Sequence, residues 1–170
     1  MAERGTDNTS MRALAKACDI NVAALYHYFD SKEQLLAAVI QERNYDAQLA
    51  EVPDIDPNAE PVDRMVHLFL AFWDGAQEEE DVWRLLLMEG FRSHPTALTV
   101  GAELLAVLHP ALADWIQEVF PELNGAASTA ADLVITSMFG LFIESRFMSE
   151  VDSRELAATR GRQLGAALFP

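Results

Sequence analysis

The sequence has 170 residues, of which 51% are apolar, and its formal net charge is −15. An apolar fraction of this size can bury a sizeable core, and a single cysteine, Cys18, excludes an internal disulfide and suits a reducing cytoplasm. The charge-free stretches, such as residues 133–143, are too short to cross a bilayer and the start lacks a secretory signal, so we expect a cytoplasmic chain without a membrane segment.

The first short helix is predicted near residues 9–18. A hydroxyl residue, Thr9 or Ser10, can cap its N-terminus by accepting hydrogen bonds from the free N–H groups of the first turn. Apolar residues then recur at helical spacing and form the inward face. They are Met11, Leu14, Ala15 and Cys18. Cys18 is therefore expected to be a small core residue rather than a redox switch.

A tight turn and a second short helix are predicted to follow. Asp19 lies where the chain leaves the first helix, at a position that favours a left-handed backbone. Ile20 is expected to fill the turn from the core, and Asn21 to cap the second helix. Leu25 and Tyr28 can then contact the first helix. This pattern is typical of a helix-turn-helix, although other small helical hairpins share much of it.

A third helix is predicted from Ser31 to about Leu49, after the aromatic run at residues 26–29. Either Ser31 or Asp30 can cap this helix. Lys32 then lies at the positive end of the helix dipole, where a cation is disfavoured unless a phosphate is held there as well. Lys32 is thus predicted to bind a DNA phosphate, the alternative being an ordinary solvated lysine.

Residues 3–45 resemble the N-terminal head of the tetracycline-repressor (TetR) family of bacterial transcription regulators. Four segments carry the resemblance. They are Thr9-Ser10-Met11-Arg12, the pair Leu14-Ala15, Ile20 in the turn, and the run from Leu25 to Leu35. The resemblance implies an all-α, homodimeric repressor with an N-terminal helix-turn-helix head and a C-terminal helical domain for ligand binding and dimerisation.

Carried over by position, the resemblance implies that Tyr28 and Lys32 hold phosphates of a double-stranded DNA operator. Residues of the second helix would face the major groove. With the starts of the two helices included, the predicted DNA-binding set is Thr9, Asn21, Val22, Ala23, Ala24, Tyr26, His27, Tyr28 and Lys32.

The head departs from the family pattern in three places. The family's turn glycine is Asp19 here. The recognition helix begins with Val22-Ala23-Ala24, which offers base edges no donors but can touch thymine methyl groups, so base reading would rest on Tyr26, His27 and DNA shape. Only Met1 to Arg4 are left of the family's first helix, so this helix is predicted to be largely missing, either because the protein starts further upstream or because the head is incomplete.

Charge is distributed unevenly along the chain. Residues 1–45 contain five basic and six acidic residues, a net charge of −1, whereas residues 46–170 contain seven and twenty-one, a net charge of −14. DNA would repel the acidic body and leave the head to approach it. The nearly neutral head predicts weak non-specific affinity, which the two heads of a dimer would offset.

The remaining chain, residues 46–170, is predicted to be a helical effector-binding and dimerisation domain that follows the DNA-binding domain at 1–45. The Pro- and Asp-rich segment 52–57 marks the boundary. An acidic junction is predicted at 78–81 and a kink or break at Pro110. Helices are predicted at about 61–77, 82–92, 96–120, 126–149 and 153–168.

The last two predicted helices, Ala126–Ser149 and Ser153–Leu168, are the expected dimer interface. Ala157, Gly161 and Gly165 recur every four positions on the final helix and permit close helix approach, whereas glycine there otherwise costs helix stability. Because the resemblance implies a four-helix bundle with the partner subunit, this stripe is interpreted as part of the interface, and packing within one chain is the alternative.

Aromatic and sulfur-containing residues of the body predict a pocket for a small apolar effector. The predicted ligand-binding set is Met65, Phe69, Trp73, Met88, Phe91, Trp115 and Phe142. Residues of these types also build ordinary cores. Glu89 and Glu144 lie amid apolar residues and can neutralise a cationic ligand, face solvent, or pair with Arg92 or Arg146. The histidines lack paired metal-ligand spacing, so neither a metal nor another cofactor is predicted.

The motifs predict a ligand-responsive DNA-binding repressor that a small apolar effector releases from its operator. An enzyme is not predicted, because the chain has no Gly-rich phosphate loop, no G-x-S-x-G, no H-E-x-x-H and no C-x-x-C. The alternative is a helical interaction or ligand-binding protein that has lost DNA binding through its truncated head.

Overall fold

The computed structural model describes residues 9–148 and 152–170, and within these ranges the chain forms helices, turns and loops but no β-strand. The predicted all-α fold class is therefore confirmed. The remnant of a first helix predicted at Met1–Arg4 lies outside the described residues. The helices are α1 (Met11–Ala17), α2 (Val22–Tyr28), α3 (Lys32–Glu42), α4 (Tyr45–Gln48), α5 (Pro61–Glu78), α6 (Glu80–Phe91), α7 (Pro95–Val119), a 3-10 turn (Pro121–Leu123), α8 (Ala127–Phe147) and α9 (Ser153–Leu168).

Internal packing divides the chain into two compact units, each built from two separate segments. One unit contains residues up to 45 together with 79–105, and the other contains 46–78 together with 106–170. α6 and the first part of α7 thus belong with the helix-turn-helix head. A functional division into a DNA-binding segment at 1–45 and an effector-binding segment at 46–170 stays a prediction.

Side-chain caps begin the three helices of the head, as predicted. Ser10 Oγ and Ser31 Oγ each accept the N–H of the residue three positions on, at 3.1 and 3.2 Å, and Asn21 Oδ1 accepts the N–H two positions on at 2.8 Å. Each bond satisfies one free N–H group of a first turn. Asp19 has a φ of 54°, so the predicted left-handed turn after α1 is also confirmed.

The core of the head is smaller than the sequence predicts. Its buried centre is surrounded by partly buried apolar residues, and the whole cluster consists of Met11, Ala15 and Leu25 with Leu14, Val22, Phe29 and Leu35 around them. Cys18 and Ile20 were expected inside it, but Cys18 is exposed and Ile20 is 46% exposed. Because α1 has only seven residues, Cys18 lies beyond its last turn, and the left-handed residue between the two redirects the chain.

Tyr28 was also expected to contact α1, and it is 73% exposed instead. On α2 the inward positions are Leu25 and Phe29, which are four residues apart and belong to the head cluster. Tyr28 lies about 60° around the helix from Leu25 and about 100° from Phe29, since each helical residue rotates by about 100°. Its ring is therefore at the surface of the head.

The third helix is shorter than predicted. α3 ends at Glu42 with Arg43 as its C-cap, and Asn44 adopts a φ of 49° before the single turn of α4. Asn tolerates this left-handed conformation, which stops a helix by reversing the chain. The single helix predicted from Ser31 to about Leu49 was therefore wrong.

In the second unit, α9 packs along α5 through its small residues. Ala157, Gly161 and Gly165 are all buried, and a Cβ atom added at Gly161 would lie 2.9 Å from the backbone Cα of Val66. A Cβ added at Gly165 would lie equally close to the Cα of Val62. The interpretation of this stripe as dimer interface was wrong, because the glycines admit a helix of the same chain.

The acidic segment at 78–81 forms the junction between two helices, as predicted, with Glu79 between α5 and α6. Pro110 does not break α7, which continues on both sides of it with Leu108 and Leu112 buried. When up to two charged residues are allowed, α7 and α8 are long and apolar enough to cross a membrane. Core helices of soluble proteins meet the same criterion, so length and composition alone assign no membrane segment here.

Candidate nucleic-acid interface

Helix α2, the second helix of the helix-turn-helix, presents a short, weakly polar face. Ala23, Ala24, Tyr26 and His27 are exposed, whereas Val22 is half-buried against the core of the head. Of the five residues predicted to face the groove, the structure thus brings four to one surface and places Val22 mainly in the core. This face can contact thymine methyl groups through two alanines and form hydrogen bonds only through the imidazole and the phenol.

The aromatic run at the end of α2 is ordered by a ring contact. The His27 and Tyr28 rings lie edge to face, with their centroids 5.1 Å apart. Such a contact favours one orientation of the two rings. The imidazole of His27, predicted to read a base edge, therefore packs against the ring of Tyr28, predicted to hold a phosphate.

The starts of α1 and α3 enclose an open hollow of about 490 Å³ beside α2. Lys32 and Tyr26 line this hollow. Thr9, which was also predicted to contact DNA, lines it too, but only 7% of its surface is exposed. The predicted set missed the other six lining residues, although the sequence already placed them in or beside the first turns of two helices. These six are Ser10, Met11, Ala13, Asp30, Ser31 and Glu33.

The hollow combines one cation with two carboxylates. Hydrogen bonds from its own backbone N–H and from the Ser31 hydroxyl hold the pKa of Glu33 below its ordinary value, with smaller contributions from His94 and Lys32. The negative charge suits the positive end of the α3 dipole. A phosphate at Lys32 would therefore lie next to two acids, and their charge weakens the general attraction of this surface for DNA.

The predicted effector-binding residues fall into both units. Met65, Phe69, Trp73, Trp115 and Phe142 are buried in the second unit. The Trp115 indole N–H donates to the Leu49 carbonyl at 2.9 Å, whereas the Trp73 indole N–H has no hydrogen-bond acceptor within the described part of the chain.

The other two predicted effector residues belong to the unit that contains the head. Met88 is half-buried, and Phe91 is 79% exposed at the end of α6. Glu89, nearby on α6, is fully buried and lies 3.3 Å from Arg92. In the second unit, Glu144 pairs with Arg160 at 2.8 Å, a partner that was not among the alternatives read from the sequence.

Comparison with known proteins places this head in an established class. Residues 1–39 match the family described as bacterial regulatory proteins, tetR family. The chain is 23% identical over 158 residues to the HTH-type transcriptional regulator UidR of Escherichia coli, covering 92% of this chain and 78% of UidR. It is 30% identical over 122 residues to the HTH-type transcriptional regulator BetI of Rhizobium meliloti, covering 62% of this chain and 60% of BetI.

The fold agrees with these sequence matches. The solved structure of Salmonella enterica GusR superposes with a TM-score of 0.72 and 23% identity, covering 98% of this chain and 86% of GusR. Together with the capped helix-turn-helix, the exposed α2 face and Lys32 at the start of α3, these matches support the assignment of the chain as a transcriptional regulator of the TetR type.

Proposed function

We propose that this regulator is a dimeric repressor that binds an operator through α2 and α3 and is released by a small effector with an apolar body. The exposed surface formed by Ala23, Ala24, Tyr26 and His27 next to Lys32 carries the proposal. It supplies methyl contacts and two hydrogen-bonding groups for bases, with a cation at a helix start for a phosphate.

DNA binding is tested by selecting duplexes from a randomised library and measuring affinity for the recovered sequence at several salt concentrations. Lys32→Ala should weaken binding to all sequences alike and lower the slope of log affinity against log salt by about one, since one phosphate contact is lost. Lys16→Ala is the matched control, because Lys16 is the other lysine of the chain and lies exposed in the last turn of α1.

Two results would contradict this assignment of Lys32. One is an altered sequence preference in Lys32→Ala, which would make Lys32 a base contact. The other is the same change of slope in both lysine variants. If the wild-type chain recovers no duplex at all, the alternative of a helical protein without DNA binding gains support instead.

The methyl contacts have a separate test. Replacing thymidine by deoxyuridine removes only the 5-methyl group from the operator. At positions read by Ala23 or Ala24 this should weaken binding, and Ala24→Gly should abolish the difference between the two pyrimidines. Ala17→Gly is the control, since Ala17 is exposed on α1. If deoxyuridine is tolerated at every position, the two alanines do not read thymine.

The dimer is proposed to form on an exposed face of α8. Five exposed residues follow one another on this face at spacings of three and four. They are Leu133, Thr136, Gly140, Ile143 and Phe147. A Cβ added at Gly140 would meet nothing within 4 Å. Exposed apolar residues at this spacing form a stripe suited to a second helix. A second copy of the chain is the proposed occupant, because two heads are needed to offset the weak charge of one.

The effector is proposed to contact Trp73 in the second unit. An indole N–H that is buried without an acceptor costs free energy, which an oxygen atom of a bound molecule would recover. We therefore expect an effector that joins an apolar body to one hydrogen-bond acceptor. Phe69 and Met65, one and two turns before Trp73 on α5, are fully buried and supply apolar surface.

A thermal-shift screen followed by operator release tests this site. For a compound found in this way, Trp73→Phe should weaken the response about tenfold, because an aromatic ring remains while the N–H donor and part of the indole surface are lost. Unchanged potency in Trp73→Phe, together with unchanged tryptophan emission in the wild type, would place the effector elsewhere.

A further inference from the structure

Polar side chains join α3 and α6 at both ends. Where α6 begins, the Glu79 carboxylate accepts hydrogen bonds from Arg43 Nη1 at 3.0 Å and from the Tyr45 hydroxyl at 3.3 Å. Beyond the end of α6, His94 Nε2 lies 3.8 Å from Glu33 Oε1 in the first turn of α3. The two helices, of eleven and twelve residues, therefore lie antiparallel. The Glu79 end is joined by hydrogen bonds, whereas the 3.8 Å between Glu33 and His94 exceeds hydrogen-bonding distance.

Glu79 is an acid buried in the break between two helices, with 8% of its surface exposed. Its carbonyl begins α6 by accepting the N–H groups of Val82 and Trp83, but its side chain does not cap that helix. A carboxylate buried to this degree is costly unless charged or hydrogen-bonding groups compensate it. Arg43, the C-cap of α3, and Tyr45, the first residue of α4, supply that compensation.

The Tyr45 hydroxyl is protonated and acts as the hydrogen-bond donor to Glu79. Burial, followed by the charge of Glu79, raises the pKa of Tyr45 above its ordinary value, so the phenol stays protonated and donates its hydrogen. Arg43 is the C-cap of α3, and the chain reverses at Asn44 directly after it. The orientation of α3 therefore depends on what contacts its end and not on a continuous helix beyond it.

Resting on the proposed DNA-binding function, we propose that Glu79 is a positioning residue for DNA binding: it holds the end of α3 and thereby places Lys32, at the start of α3, against a phosphate. A helix of eleven residues is about 16 Å long, so a tilt of about 10° at one end moves the other end by about 3 Å. A displacement of that size takes an ammonium group out of hydrogen-bonding distance.

The proposal is tested with Glu79→Gln, which keeps the size of the side chain and removes its charge. Glu78→Gln is the matched control, because Glu78 is the adjacent and exposed acid. Without DNA, hydrogen exchange at the amides of residues 39–42 should become faster in Glu79→Gln and stay unchanged in the control. Tyr45→Phe, which removes one hydroxyl group, should show the same change in milder form and serves if Glu79→Gln does not fold.

With the selected duplex, Glu79→Gln should bind about three- to tenfold more weakly, the range seen when a residue outside the ligand contact alters coupling. Combining it with Lys32→Ala should give less than the sum of the two losses, because Lys32 is then already displaced. A purely stabilising role would lower the melting temperature and leave the two losses additive.

Three outcomes would overturn the positioning role. They are unchanged exchange in α3, DNA affinity equal to that of Glu78→Gln, and full additivity with Lys32→Ala. The exchange measurement needs no DNA, so it judges the hold of Glu79 on α3 even if the wild-type chain selects no duplex and the proposed function itself fails.

Discussion

At the turn between α1 and α2, a single backbone angle sets how the two helices meet. Asp19 has a φ of 54°, in a region that costs an L-residue energy and that glycine occupies freely. The Ile20 N–H then bonds to the Ala15 carbonyl at 2.9 Å and closes the turn. The family's usual glycine thus has a physical counterpart here, because Asp accepts the same backbone conformation at some cost.

Asp19→Gly should therefore stabilise the head, by about 1 kcal/mol in the free energy of unfolding. Chemical denaturation monitored by circular dichroism measures the change. Asp19→Asn is the control, since it removes the charge and keeps a side chain that tolerates the left-handed region. A gain of equal size in Asp19→Asn would assign the effect to the charge and not to the backbone.

At the scale of elements, α9 packs closely against α5 because Gly161 and Gly165 have no side chains to separate the two helices. Beyond the 2.9 Å contact with Val66, a Cβ at Gly161 would lie 3.1 Å from Phe69 Cβ. The first contact is with backbone, which cannot rotate away. Glycine is required here by space, despite its cost in the middle of a helix.

Gly161→Ala should lower the free energy of unfolding by about 1–3 kcal/mol, because overpacking outweighs the better helix propensity of alanine. Gly75→Ala is the matched control. Gly75 is a helical glycine on α5 with nothing within 4 Å of an added Cβ, so alanine there should stabilise by up to about 1 kcal/mol. Equal stabilisation in both variants would refute the close contact between the helices.

At the scale of the whole molecule, the position of the small stripe changes where a second copy can bind. With Ala157, Gly161 and Gly165 buried against α5, these residues cannot face a partner. The exposed face of α8 proposed as the dimer interface still lies within Ala126–Ser149, one of the two segments predicted from the sequence. Its last member, Phe147, is 84% exposed in the single chain, which is unusual for a large apolar side chain unless another surface covers it.

Ile143→Asp should convert the dimer into a folded monomer, since it places a charge in the middle of the α8 face. Sedimentation velocity measures the mass, and circular dichroism checks that the helices are retained. Leu105→Asp is the control, because Leu105 is a similarly exposed apolar residue on α7. A dimer that survives Ile143→Asp and dissociates in the control would place the interface elsewhere.

The sequence by itself determined the features that depend on neighbours within about four residues. The caps at Ser10, Asn21 and Ser31 and the left-handed Asp19 were predictable, because the hydrogen bonds involved close within one turn. The family was predictable for a related reason, since the residues that carry it form one continuous segment. Local patterns failed at Cys18, where the helix ends before its apolar periodicity does.

Only the tertiary structure decided the features whose partners lie far along the chain. The face of α9 that meets α5, the pairing of Glu79 with Arg43 and Tyr45, and the inclusion of residues 79–105 with the head all join segments that are tens of residues apart. A glycine stripe has the same sequence whether it packs within one chain or against a partner, and an acidic run has the same sequence whether it is buried or exposed. Which surface it meets is set by the packing of the whole core, and periodicity along one helix does not contain that information.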